Sequence, residues 1–166
     1  MISKKLKKML NEQVGHELSA QHAYIGMAAY FGMKNHDKWA AIFYEQAMEE
    51  RVHALKIIKF LVDVDAQEDV PALPAATIKY SSALDVVKAA LKQEQQVSAQ
   101  FQAMAKAALA ESDFTSFQFL QWFIEEQVEE EAKMEKFIAL LSSEKDEFRA
   151  EMIVSELEEH GGEGGH

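Results

Sequence analysis

The amino-acid sequence predicts an all-α protein: a four-helix bundle with one long crossover and a short fifth helix at its C-terminal end. The chain of 166 residues contains two prolines, Pro71 and Pro74, and seven glycines, four of which fall within the last six residues. Long stretches without these helix-breaking residues are typical of long helices. Apolar residues recur at helical spacing and make up 48% of the chain, which is enough for the core of one domain.

The first half of the chain predicts a helical hairpin. Its first helix covers about residues 4–33 and its second covers about residues 38–64. The polar segment from Lys34 to Asp37 separates them. Because this turn is short, the two helices are expected to be antiparallel and in contact.

The second half predicts a second hairpin. Ser82 is a candidate N-cap for a third helix at about residues 83–110. Asp113 is a candidate N-cap for a fourth helix that continues to about Leu141. The turn between them is again short, so these helices are also expected to be antiparallel.

The segment that joins the hairpins, from about residue 65 to residue 82, contains both prolines and is predicted to be non-helical. About 18 extended residues span roughly 50–60 Å, at about 3.3 Å per residue. A helix of about 28 residues is roughly 42 Å long. The segment can therefore cross the whole bundle, which would make the second and third helices parallel.

A shorter fifth helix is predicted from Ser143 to about His160. It carries an apolar stripe that a four-helix bundle does not need and that is expected to pack on a partner surface: Phe148, Met152, Ile153 and Leu157. Residues 1–160 are therefore predicted to form one domain, and the glycine-rich residues 161–166 a flexible tail.

The net charge of −11 argues against nucleic acid as a partner and suits a protein that attracts cations. The chain has no cysteine, which excludes disulfides and thiolate metal sites. Its basic start resembles the first part of a signal peptide, but polar residues from Asn11 to Glu17 interrupt the apolar run that should follow. No run approaches the length of a membrane span. We therefore expect a cytoplasmic protein without a membrane partner.

Chemically distinctive residues repeat between the two hairpins with one offset (94 − 17 = 127 − 50 = 130 − 53 = 77). Three pairs share it: Glu17 with Glu94, Glu50 with Gln127, and His53 with Glu130. Each residue interrupts the apolar stripe of its helix, and in folded hairpins all six would meet near the middle of the bundle. We call these six residues the polar layer.

Four carboxylates in one buried layer would repel one another, and burying an ionised carboxylate is costly unless something compensates its charge. Two divalent cations would cancel the four charges, and carboxylates with one imidazole suit iron, manganese or zinc. The alternatives are solvated charges, or a satisfied polar layer that merely sets the helix register.

Further acidic residues adjoin the polar layer. Glu49 precedes Glu50, and Glu126 precedes Gln127, again with the offset of 77 (126 − 49 = 77). Together with Glu129 they are predicted to hold a further cation on one side of Glu130. Two others in the same acidic run are expected to be solvated: Glu125 and Glu131.

The motifs that carry this chemistry resemble those of bacterial non-haem ferritins over roughly the first 160 residues. The resemblance rests on Tyr24 and on four segments, residues 15–18, 46–53, 92–95 and 119–131. It implies a twenty-four-subunit hollow shell that oxidises iron(II) with dioxygen or hydrogen peroxide and stores ferric mineral. The resemblance does not extend to haem, because Arg51 occupies the position of the haem-ligating methionine of bacterioferritins.

The resemblance also implies roles for individual residues. One iron would be bound by Glu17, Glu50 and His53. The second would be bridged by Glu50 and held also by Glu94 and Glu130. A third position would be formed by Glu49, Glu126, Glu129 and Glu130. Gln127 would support the ligands, and Tyr24 would donate hydrogen bonds and electrons nearby.

Two other functions remain open from the sequence. One is a soluble di-iron oxidase or peroxidase that accumulates no mineral. The other is a structural or partner-binding bundle. The apolar stripe of the fifth helix favours the storage shell, since the corresponding helix of ferritins closes the shell around its four-fold axis.

Overall fold

The computed structural model describes residues 2–161 and confirms the predicted all-α bundle. Within these residues it contains five helices: α1 (Lys4–Met33), α2 (Asp37–Asp63), α3 (Ala83–Ala110), α4 (Phe114–Ser143) and α5 (Glu147–Gly161). Apart from Gly161, the predicted tail lies outside the described residues. In the same part of the chain, no helix has the length and apolar character needed to cross a membrane.

Side chains cap the helices where the sequence predicts. The hydroxyl of Ser82 accepts a hydrogen bond from the backbone N–H of Asp85 (3.1 Å) at the start of α3. The carboxylate of Asp113 accepts one from the N–H of Ser116 (3.0 Å) at the start of α4. Each cap satisfies a backbone donor that has no partner inside its helix, so both N-cap predictions are confirmed.

The crossover runs along α1 in the direction of that helix. Asn11 donates to the carbonyl of Ala66 (2.9 Å) and accepts from the N–H of Glu68 (2.9 Å). Further along α1, a Cβ built on Gly26 would lie 2.3 Å from the carbonyl oxygen of Thr77. The crossover thus returns the chain to the end of the bundle where α2 begins, which makes α2 and α3 parallel as predicted.

The core consists of two apolar clusters with the polar layer between them. One cluster lies towards the α1–α2 turn and includes Phe31, Trp39, Phe43, Met134 and Phe137. The other lies towards the opposite end and includes Leu10, Ile57, Leu61, Phe101 and Phe123. Burying one such side chain contributes about 1.5–3 kcal/mol. Packing on both sides therefore fixes the four helices at the level of the polar layer.

The predicted start of α5 at Ser143 is wrong. Ser143 is the last residue of α4, where its hydroxyl donates to the carbonyl of Leu140 (3.0 Å). The first turn of α5 is capped instead by Asp146, whose Oδ1 accepts from the N–H groups of Phe148 (3.0 Å) and Arg149 (3.2 Å). A carboxylate can accept both donors at once, and this places the chain reversal three residues later.

Two glutamates of α5 cap other helices. Glu151 accepts from the N–H groups of Lys38 (2.7 Å) and Trp39 (3.4 Å) in the first turn of α2. Glu147 accepts from the N–H of Ala83 (3.1 Å), the first residue of α3. The buried ring of His36 lies between them, with Nδ1 3.1 Å from Glu151 Oε2 and Nε2 3.3 Å from Glu147 Oε2. These contacts dock α5 against the bundle.

The apolar stripe predicted for α5 lies mostly at the surface, with Ile153 half-buried, and the bundle buries two smaller apolar residues instead. Ala150 and Val154 are buried against the helices beneath. The residues that remain exposed are Phe148, Met152 and Leu157. Because α5 is docked on the bundle and its large apolar residues point outward, these residues form a surface suited to a partner.

Candidate metal centre

Three ligand-type side chains meet on one side of the polar layer. Glu17 comes from α1, and Glu50 and His53 come from adjacent turns of α2. The Nδ1 atom of His53 lies 3.5 Å from Glu17 Oε2 and 3.4 Å from Glu50 Oε2. One ligand atom from each residue lies within 4.8 Å of the other two, and all three residues are at most 3% exposed.

Each of these side chains has a buried atom without a hydrogen-bond partner: Glu17 Oε2, Glu50 Oε1 and His53 Nδ1. A buried polar atom left unsatisfied costs about 1–3 kcal/mol. Carboxylate oxygens and an imidazole nitrogen are ligands that a divalent cation accepts. A cation held between the three residues would compensate the carboxylate charges and bind donor atoms that the protein leaves unpaired, so the residues fit a metal ion.

On the other side of the polar layer, Glu94 of α3 is held at both oxygens. Its Oε1 accepts a hydrogen bond from the hydroxyl of Tyr24, and its Oε2 accepts one from Gln127 Nε2 (3.0 Å). The same amide nitrogen lies 3.1 Å from the backbone oxygen of Glu94. Tyr24 and Gln127 therefore lie where the sequence analysis expects supporting residues, in contact with one predicted ligand.

Glu130 of α4 has a partner that the sequence analysis missed. Its Oε2 accepts a hydrogen bond from Gln46 Nε2 (2.7 Å), and Gln46 Oε1 in turn accepts one from Lys133 Nζ (2.6 Å). Gln46 is fully buried on α2, one helical turn before Glu50.

A second glutamine holds Glu17 in a similar way. Gln13 Nε2 donates to Glu17 Oε1 (2.7 Å), and its side chain is 1% exposed. The signal that could have revealed both glutamines is their position. Each lies on an apolar stripe four residues before a predicted ligand, and side chains at that spacing share one helix face.

Burial makes protons hard to remove from three carboxyl groups of the polar layer, those of Glu50, Glu94 and Glu130. It raises the pKa of Glu50 well above its usual value, although His53 opposes the shift. It also raises the pKa of Glu94, against the hydrogen bonds from Tyr24 and Gln127. Burial, with neighbouring Glu49, raises the pKa of Glu130 to about 8.

His53 and Tyr24 also hold their protons more tightly than usual. Burial alone lowers the pKa of His53, but the carboxylates of Glu17 and Glu50 outweigh it and raise the value to about 10. Burial and the charge of Glu94 raise the pKa of Tyr24 well above its usual value. A cation entering this site must therefore displace protons from it.

Two of the additional acidic residues adjoin an open cavity of about 340 Å³ beside His53, which is also lined by Trp122. They are Glu49 and Glu126, and Glu126 Oε2 lies 4.0 Å from His53 Nε2. Glu129 is exposed and lines a different groove, between α4 and α5. The structure thus brings two of these three residues to one cavity next to the polar layer.

Comparison with known proteins gives a consistent result. Residues 7–143 match the family model of the ferritin-like domain. The chain is 41% identical over 142 residues to the bacterial non-heme ferritin of Staphylococcus aureus (strain MRSA252), covering 86% of each chain. It is 37% identical over 142 residues to the bacterial non-heme ferritin of Staphylococcus haemolyticus (strain JCSC1435), again covering 86% of each.

Solved structures resemble the whole bundle. An open pore ferritin from the hyperthermophilic archaeon Archaeoglobus fulgidus superposes with a TM-score of 0.89 at 27% identity, over 94% of this chain and 96% of that one. A humanized archaeal ferritin superposes with a TM-score of 0.90 at 26% identity, over 94% of each chain.

Proposed function

This chain belongs to the ferritin family, and we propose that it oxidises iron(II) at the polar layer and stores the product as ferric mineral. The observation that carries the proposal is the set of three unsatisfied buried atoms on Glu17, Glu50 and His53. A satisfied polar layer would have paired these atoms within the protein. The proximity of the three residues instead suits a cation that the protein takes up and later releases.

Iron is the substrate here, and two positions for it are proposed. Glu17, Glu50 and His53 would hold the first iron(II). Glu50, Glu94 and Glu130 would hold the second. We propose a third position nearby, formed by Glu49, Glu126, Glu129 and Glu130. The cavity lined by Glu49 and Glu126 supports it, whereas Glu129, which lines a different groove, would have to turn towards it.

Two adjacent iron(II) ions supply the two electrons that one oxidant molecule requires. With dioxygen the products are two iron(III) ions and, after uptake of two protons, one hydrogen peroxide. With hydrogen peroxide and two protons the products are two iron(III) ions and two waters. Tyr24, hydrogen-bonded to Glu94, is the proposed nearby electron donor. When one iron(II) is missing, it would supply the second electron and release its phenolic proton, leaving a tyrosyl radical: one iron(II), one tyrosine, one dioxygen and one proton give one iron(III), one tyrosyl radical and one hydrogen peroxide. Carboxylates stabilise iron(III) by their charge.

Storage requires a closed container, and we propose a homo-oligomeric shell of twenty-four chains in the cytoplasm. The docked α5 supports this assembly, since its exposed Phe148, Met152 and Leu157 offer a surface for neighbouring copies. The second candidate function is a soluble di-iron oxidase or peroxidase. The same ligands would serve that enzyme, but it would not need the apolar face of α5.

Size-exclusion chromatography after aerobic loading with a large excess of iron(II) tests the proposal. Iron far in excess of the proposed three positions per chain, co-eluting with a very large oligomer, is the result expected for a storage ferritin. Iron that stops at two or three per chain on a small oligomer would instead support the oxidase. No bound iron would contradict both functions.

A matched pair of variants assigns the oxidation to the site. Glu50→Ala removes the proposed bridging carboxylate and should abolish fast oxidation while leaving the oligomer intact. Glu125→Ala removes an exposed carboxylate from the acidic run of α4 and should oxidise iron(II) as the wild type does. Unimpaired oxidation by Glu50→Ala would show that the site assignment is wrong.

A further inference from the structure

We propose that Lys133 is a positioning residue that acts through Gln46 to hold the Glu130 carboxylate for the second iron. This inference rests on the proposed function and deepens it, because it concerns how one of the two iron positions is prepared. No motif in the sequence points to Lys133, which the structure joins to Glu130 only through a side chain of another helix.

The contact runs from α4 to α2 and back to α4. Lys133 Nζ donates to Gln46 Oε1 (2.6 Å), and Gln46 Nε2 donates to Glu130 Oε2 (2.7 Å). Gln46 is 0% exposed and Glu130 is 5% exposed, so water has little access to compete for either partner of the second bond. Lys133 itself is half-buried at the groove between α4 and α5.

The chemistry of the end groups fixes the direction of the hydrogen bonds. An ammonium group can only donate, so it must meet the oxygen of the Gln46 amide. The NH₂ group of that amide then faces Glu130, whose carboxylate can only accept once a bound cation has displaced its proton. Without the ammonium group, the amide would lose the contact that determines which end faces Glu130.

The consequence for Glu130 is a defined carboxylate orientation. Its Oε2 is held by Gln46, and Glu49 adjoins the same carboxyl group. Gln13 likewise donates to one oxygen of Glu17, Oε1, and there the second oxygen, Oε2, has no partner. Among the residues that the structure describes, no lysine hydrogen-bonds to Gln13, so Lys133 adds to the second position a positive charge and an orientation that the first lacks.

Calorimetric titration of the assembled, metal-free protein with zinc(II) tests the inference without relying on oxidation. At the paired positions we expect two zinc(II) ions per chain in the wild type, and any ion at the third position is fitted as a separate binding event. Lys133→Met keeps an unbranched side chain but removes the charge. It should lower the affinity for one of the two ions about 10–100-fold, the range typical for loss of a residue that holds a metal ligand. The other ion should bind unchanged.

Three further variants separate positioning from a general effect. Lys133→Arg keeps a donor and a positive charge and should restore most of the lost affinity. Lys136→Met removes an exposed lysine from the same groove and should bind as the wild type does. Gln46→Leu should reproduce the loss at one position, and it serves if Lys133→Met fails to assemble.

Several results would overturn the inference. Wild-type affinities in Lys133→Met would do so, as would equal weakening of both ions or the same loss in Lys136→Met. These outcomes leave the proposed function standing, provided that the wild type binds two ions. If the wild type binds no pair of ions, the proposed function and the inference fail together.

Discussion

Replacing Glu130 by glutamine should stabilise the metal-free protein, and the gain should grow with pH. The pKa of Glu130 is raised from 4.5 to about 8 by burial and by Glu49. Between these values the folded protein binds a proton that the unfolded chain has released, so folding becomes less favourable as pH rises. A glutamine has the same shape, can still accept from Gln46, and carries no proton to lose.

The magnitude follows from the size of the shift at about 1.36 kcal/mol per pKa unit. The destabilisation from Glu130 amounts to about 1 kcal/mol at pH 5 and about 3 kcal/mol at pH 7, and it reaches its limit above pH 8. For a chain of this size, about 3 kcal/mol corresponds to a rise in Tm of roughly 6–12 °C.

Thermal denaturation in the presence of a chelator, at pH 5, 6, 7 and 8, measures the effect. Glu125→Gln is the matched control, since it removes an exposed carboxylate from the same helix and should leave Tm nearly unchanged. A difference between Glu130→Gln and the wild type that is absent, or that stays constant across this pH range, would refute the reasoning. Added zinc(II) should reverse the order, because the wild type alone retains the carboxylate.

Three other predictions concern protons, the crossover and α5. Zinc(II) binding should tighten from pH 6 to pH 8 and release protons, since the pKa values of Glu130 and His53 are about 8 and about 10. Calorimetric titration in buffers of different ionisation enthalpy measures the released protons. An affinity that does not change with pH would contradict the prediction. Gly26→Ala should destabilise the protein by about 1–3 kcal/mol, because its Cβ would lie 2.3 Å from Thr77 O. A Cβ at Gly32 would have no atom within 4 Å, so Gly32→Ala should stabilise the protein by about 0.5–1 kcal/mol. Equal melting curves for the two variants would contradict the path of the crossover along α1. Glu151→Ala removes the hydrogen-bond acceptor at the start of α2 and should lower the free energy of unfolding by about 0.5–2 kcal/mol. Amide hydrogen exchange in α5 should also become faster. Unchanged exchange in α5 would show that Glu151 does not dock this helix.

Much of the fold could be predicted because its signals are local. Helix breakers and capping residues such as Ser82 and Asp113 act within a few positions of the helix ends they define. The offset between Glu17 and Glu94, and between their partners on the other helices, also indicated which positions would meet. The structure brings these side chains together at the predicted level of the bundle.

The missing parts depend on contacts between helices. Gln46 reaches Glu130 across 84 positions, and Glu151 reaches His36 across 115. Such contacts depend on the rotation and depth of each helix, which periodicity alone does not determine. The predicted start of α5 at Ser143 is also wrong. Ser143 and Asp146 are both plausible N-caps, and only the observed backbone distinguishes between them.

Because α5 caps two other helices, its exposed apolar residues can take their fixed positions only when the bundle has folded. Glu151 finds its donors only where α2 begins, and Glu147 finds its donor only where α3 begins. These two helix starts belong to different hairpins, which the crossover must bring side by side. A chain whose hairpins have not joined cannot hold Phe148 and Met152 at a fixed angle, so association through α5 would select correctly folded subunits and exclude incomplete ones.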